Sequence, residues 1–301
     1  MIDKIAAVIV THNKLELLKK CILSLQGQTI KIDEIIVVNN DSSDGTLIWL
    51  NSQSNLTIIT QKNSGSAGGQ FTGIRTAYEK GYDWIWCMDT DVLPQPNALE
   101  SLLGKVTQLE NLGFLSSSIY YKDGSIANIN IPYLGCDFDT VVEYMKSGEL
   151  PVISSSFGSV LIPRNVIEKV GFPMKEFFIW GDDVEYTFRI IRNGFKGYLV
   201  SSSRAIHYAP NNFKNPFSNL SIRDVKMSFG IRNTVTLLLI RNNILNRIKC
   251  LGILSTIKFI FQIMIQRINK NILNIVDIPL LFFYYFRGLC FYKKYFTKTQ
   301  I

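Results

Sequence analysis

Trp84-Ile85-Trp86-Cys87-Met88-Asp89-Thr90-Asp91-Val92-Leu93-Pro94 is the stretch on which the reading of this chain turns. Five apolar residues in a row read as a fully buried strand. The run stops abruptly at two carboxylates one residue apart. Working back toward the N-terminus, three more short apolar runs appear, Lys4–Val10, Glu34–Asn39 and Leu56–Thr60. A helical pattern follows the first, with Leu15, Leu18, Ile22 and Leu25 at helical spacing. The second ends in Asn39-Asn40-Asp41-Ser42-Ser43-Asp44-Gly45, which can cap a helix near Thr46. The third leads into Asn63-Ser64-Gly65-Ser66-Ala67-Gly68-Gly69 and a helix to about Glu79. Strand, loop and helix repeating at this pace predict an α/β fold, a doubly wound, mostly parallel sheet. Ligands of such sheets bind beyond the carboxyl ends of the strands, and every unusual loop named above sits at such an end.

Composition sets the outer limits. The chain has 301 residues, 47% of them hydrophobic and 19% charged, which suits a globular fold rather than a disordered one. Cys21, Cys87, Cys136, Cys250 and Cys290 are widely spaced with no C-x-x-C pair, so neither a zinc knot nor a disulfide framework is indicated. The apolar run Ile5–Val10 is too short for a signal-peptide core. The net charge of +8 is uneven: Arg241–Ile301 holds ten Lys and Arg against the single acid Asp277, leaving the first 240 residues at −1. A basic, aromatic tail predicts an anionic surface as partner. Its two longest apolar stretches, Ile248–Ile268 and Ile278–Tyr292, are broken by Lys249, Lys258, Arg267 and Arg287, which fits interfacial helices better than spanning ones. The competing expectation is an ordinary helical subdomain packed on the rest of the chain.

Four groups of residues can carry chemistry. Asp89 and Asp91 in a turn can converge on one hard divalent cation, which would bind diphosphate oxygens. A D-x-D pair is also common as a helix cap or a solvated turn. Trp180-Gly181-Asp182-Asp183-Val184-Glu185-Tyr186 crowds three acids, which raises at least one carboxyl and suits a general base. The plain alternative is a helix N-terminus at which acids complement the dipole. His207, one of only two histidines, is either structural or the third ligand that a two-carboxylate site lacks. The glycine loop Asn63–Gly69 permits close backbone approach and opens a helix whose N-terminus favours an anion. It is neither G-x-G-x-x-G nor a P-loop.

Taken in order, these motifs resemble glycosyltransferase family 2, in particular its bacterial galactofuranosyltransferase and rhamnosyltransferase branch. The resemblance rests on Val8-Ile9-Val10-Thr11-His12-Asn13, on Ile35 to Thr46, on Asn63 to Gly69 and on Asp83 to Pro94. Trp180 to Tyr186, Ile206-His207-Tyr208 and Ser228-Phe229-Gly230-Ile231-Arg232-Asn233 continue it, so that it covers about residues 4–235. It implies a GT-A, Rossmann-like catalytic domain over residues 1–235, with a nucleotide-binding half to about 120 and an acceptor half from 121. Residues 236–301 then form a basic amphipathic helical tail.

The implied reaction is transfer, with inversion, of a sugar from a nucleotide-diphosphate donor, UDP-galactofuranose or dTDP-rhamnose, to a polyprenyl-diphosphate-linked glycan of a bacterial surface polysaccharide. The enzyme would lie on the inner face of the plasma membrane. Carried over position by position, Thr11, Asn13 and Asn40 line the base pocket, while Asn63, Gly68, Gly69, Thr90 and Arg232 contact nucleotide or donor sugar. Asp89, Asp91 and His207 hold Mg²⁺ or Mn²⁺, Asp183 is the catalytic base, and Trp180, Asp182 and Glu185 lie on the acceptor side. Lys14 stands where an arginine is common in the family, and Asn39 where an aspartate is frequent. Two other readings compete. A nucleotidyltransferase would usually carry a glycine- and cation-rich loop near its N-terminus, which Thr11–Leu18 lacks. A nucleic-acid binder leaves the four acids Asp89, Asp91, Asp182 and Asp183 unexplained, so no nucleic-acid partner is expected.

Overall fold

The computed structural model describes residues 3–134, 141–142, 147–213, 220–244, 249–269 and 277–296. Cys136, Lys270 and Lys298 of the sequence reading lie outside them, as do the side chains of Arg241, Arg247, Lys249 and Cys250. The chain divides into two units, Met1–Phe178 with Asp182–Asn212, and Ile179–Gly181 with Phe213–Ile301.

The first unit is built on a ten-stranded sheet. Its strands are β1 (Ile5–Thr11), β2 (Glu34–Asn40), β3 (Thr57–Gln61), β4 (Trp84–Asp89), β5 (Val92–Pro94), β6 (Leu112–Tyr121), β7 (Tyr133–Leu134), β8 (Glu149–Ser154), β9 (Val160–Pro163) and β10 (Lys196–His207). They run in the order β3-β2-β1-β4-β9-β6-β10-β8-β7, with β5 on β10. The pairings of β3, β2, β1 and β4 are all parallel. Beyond β4 the sheet is mixed: β9 runs against both β4 and β6, while β6 and β10 are parallel. Helices α1 (Leu15–Gln26), α2 (Thr46–Asn51), α3 (Gly65–Glu79), α4 (Ala98–Val106), α5 (Arg164–Val170) and α6 (Asp182–Arg192) complete the unit.

The apolar runs explain this arrangement. Alternate residues of a strand face opposite sides of a sheet. Ile5, Ala7 and Ile9 of β1 join one core with Leu18, Cys21, Ile22 and Leu25 of α1. Ala6 and Val8 join the other, with Ile74 and Ala77 of α3. Both faces are covered, and this is why the strand reads as apolar without interruption. Adjacent strands also end level with one another, Thr11 beside Asn39, Asn40 beside Gln61 and Val10 beside Asp89. One edge of the sheet therefore collects all the polar loops.

Two glycines set how α3 lies. A side chain at Gly69 would stand 2.3 Å from Val10 Cγ1, so glycine there lets the helix press against β1. Gly65 has φ +74° and faces the Phe178 carbonyl oxygen, which a Cβ would approach to 1.9 Å. Both the backbone conformation and the space exclude a side chain at Gly65. Gly65→Ala is expected to destabilise the fold by at least about 2–3 kcal/mol, read as a lowered urea midpoint at unchanged slope.

The second unit contains α7 (Val225–Ile244), α8 (Lys249–Asn269) and α9 (Ile278–Phe296). Met227, Ile231 and Val235 of α7, Ile260 and Ile263 of α8, and Leu281, Tyr284 and Tyr285 of α9 form its core. Gly288 lets α9 cross α7 closely: a Cβ there would lie 2.8 Å from the Arg232 carbonyl oxygen. Helix α7 runs from Val225 to Ile244 and so passes through residue 235, where the sequence reading starts the helical tail. Among the described residues, no helix is long and apolar enough to cross a membrane.

Candidate active site

The turn after β4 is fixed from two sides. Thr90 Oγ1 donates to the Val10 carbonyl oxygen of β1, and Tyr208 N–H donates to the Asp91 carbonyl oxygen over 2.8 Å. The short strand β5 that follows the turn pairs with the end of β10, placing His207 opposite Val92. This pairing brings a residue from position 207 to the aspartates at 89 and 91. His207 Nε2 lies 3.5 Å from Asp91 Oδ2, and Lys14 Nζ donates to the same oxygen over 2.5 Å.

The acids form one electrostatic group. Burial pushes the Asp89 carboxyl up to about 6, helped by Asp91 and Asp183 and opposed by His207 and Lys14. Burial also works against the charge of Asp91. The nearby His207 and the Lys14 ammonium outweigh it and hold that carboxyl well below the usual range. Asp182, buried at the start of α6, is pushed well above the usual range by burial, then by Asp183 and Asp89. Asp183 is half-buried, and its Oδ1 accepts the backbone N–H of Val184 over 2.7 Å. The acids of the D-x-D turn and those of the α6 N-terminus thus act on one another across the sheet edge. The buried Cys21 and Cys87 beside them are held as thiols by burial and by the same aspartates.

The donor set of Asp89, Asp91 and His207, two carboxylates and an imidazole, suits Mg²⁺ or Mn²⁺. Burial first, and then the neighbouring charges of Asp91 and Asp183, disfavour a bare charge on Asp89. These observations fit a divalent cation at the turn. Among the described residues, no three His, Cys, Asp or Glu side chains are already gathered as a finished ligand cage, and Lys14 holds one of the carboxylate oxygens.

The other residues singled out from the sequence are placed differently. Asn40 is used up within the protein: its amide donates to Asn63 Oδ1 and the Gly65 carbonyl, and its Oδ1 accepts from Gln61 Nε2 and Ser64 N–H. Asn63 Oδ1 also accepts the Gly65 N–H, and the Ala67 N–H donates to the Phe178 carbonyl oxygen. The N–H groups of Ser64, Gly65 and Ala67 at the start of α3 therefore already have protein acceptors. Gly69 is needed for packing on Val10, and Gly68 lies over Ser64. Thr90 spends its hydroxyl on β1. Asn13, left-handed at φ 51°, ties the β1 loop to the β2 loop through Ser43 N–H.

Thr11 ends β1 beside Asn39 of β2, and Thr11 Oγ1 and Asn39 Nδ2 are buried without a hydrogen-bond partner. Both carboxylate oxygens of Glu185 are engaged by Arg189 at 2.9 Å, so Glu185 belongs to an ion pair within α6 rather than to the acid group at the edge. Trp180 and Arg232 belong to the second unit. Trp180 packs on that unit's core, and Asn233 Nδ2 donates to the carbonyls of Ile179 and Trp180. Arg232 is buried with its guanidinium 4.2 Å from the Phe291 ring and 4.7 Å from that of Phe229.

Sequence reasoning did not single out Asn130. It sits in the single helical turn Asn128–Asn130, and its Oδ1 accepts from His207 Nδ1 over 2.7 Å. No motif surrounds it, and only the fold brings it to His207.

Residues 6–133 match the sequence profile described as "Glycosyl transferase family 2". Residues 6–133 thus resemble a glycosyl transferase family 2 domain. Galactofuranosyltransferase GlfT1 of Mycolicibacterium smegmatis is 28% identical over 202 residues, covering 64% of this chain and 67% of that protein. The GlfT1 of Mycobacterium tuberculosis is also 28% identical, over 64% of this chain and 66% of its own length. The hexosyltransferase Agl10 of Haloferax volcanii, named for low-salt glycan biosynthesis, is 23% identical over 70% of this chain and 69% of its own. Among solved structures, GalNAc-T7 with UDP, GalNAc and Mn²⁺ superposes with a TM-score of 0.61 at 14% identity. S. aureus TarS superposes with a TM-score of 0.54 at 13% identity. Each match covers 78% of this chain, which spans 47% of the first structure and 40% of the second. At such identity these two superpositions speak for the fold alone, and the GT-A architecture agrees with the expectation from the sequence.

Proposed function

We propose that this protein transfers a sugar, with inversion, from a nucleotide-diphosphate donor to a glycan acceptor, and that UDP-galactofuranose is the first donor to test. dTDP-rhamnose is the second. The observation that carries the reading is the placement of Asp89 and Asp91 at the carboxyl edge of the sheet, with Asp182 and Asp183 near enough to act on Asp89 and His207 delivered to the same turn by β10. The likeness to two galactofuranosyltransferases orders the donors.

In the proposed reaction the Asp183 carboxylate accepts the proton of an acceptor hydroxyl. That oxygen forms its bond to the anomeric carbon while the bond from carbon to the diphosphate oxygen breaks, and the electron pair leaves with the diphosphate. A divalent cation bound by Asp89, Asp91 and His207 would supply charge neutralisation for the diphosphate. Lys14 adds a cation beside Asp91. Incubation of the protein with each donor and a polyprenyl-diphosphate-linked acceptor, followed by NMR assignment of the new anomeric centre, tests both transfer and inversion. Product from neither donor contradicts the donor assignment.

A pH dependence follows from Asp89. Its carboxyl is raised from 3.8 to about 6 in the folded protein. As pH falls through that window the folded state takes up a proton that the unfolded chain does not yet bind, so this group favours folding at the lower pH. Cation binding goes the other way, because the protonated carboxyl is neutral. Asp91, held low, stays charged throughout. Mn²⁺-dependent binding of UDP is therefore expected to weaken as pH drops from about 7.5 to about 5.5. The protein should show no loss of thermal stability over the same range, and calorimetry with a melting curve at each pH checks both.

The second unit supports a membrane-surface role. Ile253, Leu254, Ile257, Phe261, Ile265 and Ile268 are exposed along α8, although the opposite side of that helix is packed. Phe282, Phe283 and Phe286 are exposed on α9, with Lys293 and Lys294 exposed at its end. Apolar faces flanked by cations suit the boundary of an anionic bilayer, where a polyprenyl-linked acceptor would be met on the cytoplasmic side. Sedimentation with anionic liposomes is expected to fall sharply in Ile257→Ser/Phe261→Ser/Ile265→Ser. Equal sedimentation of that variant contradicts the assignment of the face.

A further inference from the structure

We infer that Asn130 is a positioning residue, whose carboxamide oxygen holds His207 with its hydrogen on Nδ1 and so turns the Nε2 lone pair toward Asp91 and the divalent cation. This rests on the metal reading proposed above.

An imidazole has two nitrogens, and the hydrogen bond made by one decides what the other can do. A carboxamide oxygen can only accept, so the 2.7 Å contact from His207 Nδ1 to Asn130 Oδ1 requires the hydrogen to be on Nδ1. The orientation of the carboxamide is set from its other end, where Nδ2 donates to Ser156 Oγ over 2.8 Å. Gly158 leaves the room this needs, since a Cβ there would lie 2.9 Å from Asn130 Nδ2. Asn130 is buried, and its short helical turn is itself tied down. Asn128 N–H donates to Asn212 Oδ1 over 2.8 Å, Asn128 Nδ2 to the Asn212 carbonyl over 3.0 Å, and Ala127 N–H to the Ile119 carbonyl over 3.1 Å.

With Nδ1 donating, a neutral His207 directs a lone pair at the Asp91 carboxylate 3.5 Å away. Two electron-pair donors facing each other repel unless a cation or a proton lies between them. Asn130 therefore gives His207 the form in which it ligates. The segment that carries Asn130, Ile126-Ala127-Asn128-Ile129-Asn130-Ile131, lies between β6 and β7, far in sequence from both the D-x-D turn and His207.

The test uses the full chain with UDP. With Mg²⁺ bound, ¹⁵N-resolved NMR of the imidazoles is simple because the protein has only two histidines, and His12→Ala assigns them. Wild-type His207 is expected to carry its hydrogen on Nδ1. Asn130→Ala is expected to lose that preference and to weaken Mn²⁺ binding about 10- to 100-fold, with metal-free UDP binding unchanged. Asn130→Asp, which keeps an acceptor for Nδ1, should restore both readouts. A wild-type His207 with its hydrogen on Nε2 overturns the inference, and this readout does not require the alanine variant to fold. Wild-type protein that binds Mn²⁺ and an Asn130→Ala variant that binds it equally well overturn the role of Asn130 alone. Wild-type protein that binds no Mn²⁺ overturns the metal reading and the purpose of Asn130 with it.

Discussion

Asp183→Asn is expected to lose about 10²–10⁴-fold in turnover, the usual contribution of a positioned general base, while UDP still binds and its response to Mn²⁺ persists. The substitution keeps the shape of the side chain and a side-chain oxygen that can accept the Val184 N–H, so α6 should still start at Asp182. It removes a charge that now raises both Asp89 and Asp182, whose carboxyls should move back toward ordinary values. Loss of kcat with unchanged donor affinity is the signature of a group that acts on the acceptor hydroxyl in the transition state. Asp182 offers the control. It is buried and raised, which suits a neutral carboxyl at the helix start rather than a base, so Asp182→Asn should cost far less. Normal turnover in Asp183→Asn would remove the base assignment, and the larger loss in Asp182→Asn would transfer it to the neighbouring residue.

Asp91→Asn should give the second large effect, about 10²-fold or more in turnover together with loss of the Mn²⁺ response of UDP binding. Asp91 is the carboxylate on which Lys14 and His207 converge, and its charge is the one maintained at every working pH. Removing that charge leaves the Lys14 ammonium, half exposed, free to turn to solvent or to a bound diphosphate, so metal-free UDP binding should hold or tighten slightly. The two substitutions thus separate in opposite ways: Asp183→Asn spares the metal response, and Asp91→Asn abolishes it. A retained Mn²⁺ response in Asp91→Asn would take that residue out of the cation site.

The parallel half of the fold was legible because its signals are local. Apolar runs such as Ile5–Val10 are uninterrupted where both faces of the sheet are covered, and each polar loop marks the end of a strand. The D-x-D turn and the acids at the start of α6 were legible for the same reason: carboxylates at an element's end, next to buried apolar residues, stand out in sequence. What escaped depends on contacts between distant segments. Nothing near Asn130 announces that β10 will end beside it, since the placement depends on β6 and β10 pairing in parallel and on β5 turning back onto β10.

The asparagines were the other difficulty. Asn40 and Asn63 look like ligand contacts in sequence, where nothing shows that Asn40 and the Asn63 side-chain oxygen also cross-link their loops. Asn39, which the sequence marked only as a departure from a more frequent aspartate, is the one whose buried amide nitrogen has no partner. Gly69 was similarly ambiguous, because a glycine that admits a ligand and a glycine that admits a neighbouring strand are written alike.

Calorimetric titration of the wild-type protein with UDP and with dTDP, each with and without Mn²⁺, tests the central claim most directly. Binding that strengthens with Mn²⁺, and is tighter for UDP than for dTDP, is what a galactofuranosyl-type donor site at Asp89, Asp91 and His207 predicts. Binding of neither nucleotide by protein shown to be folded would contradict it.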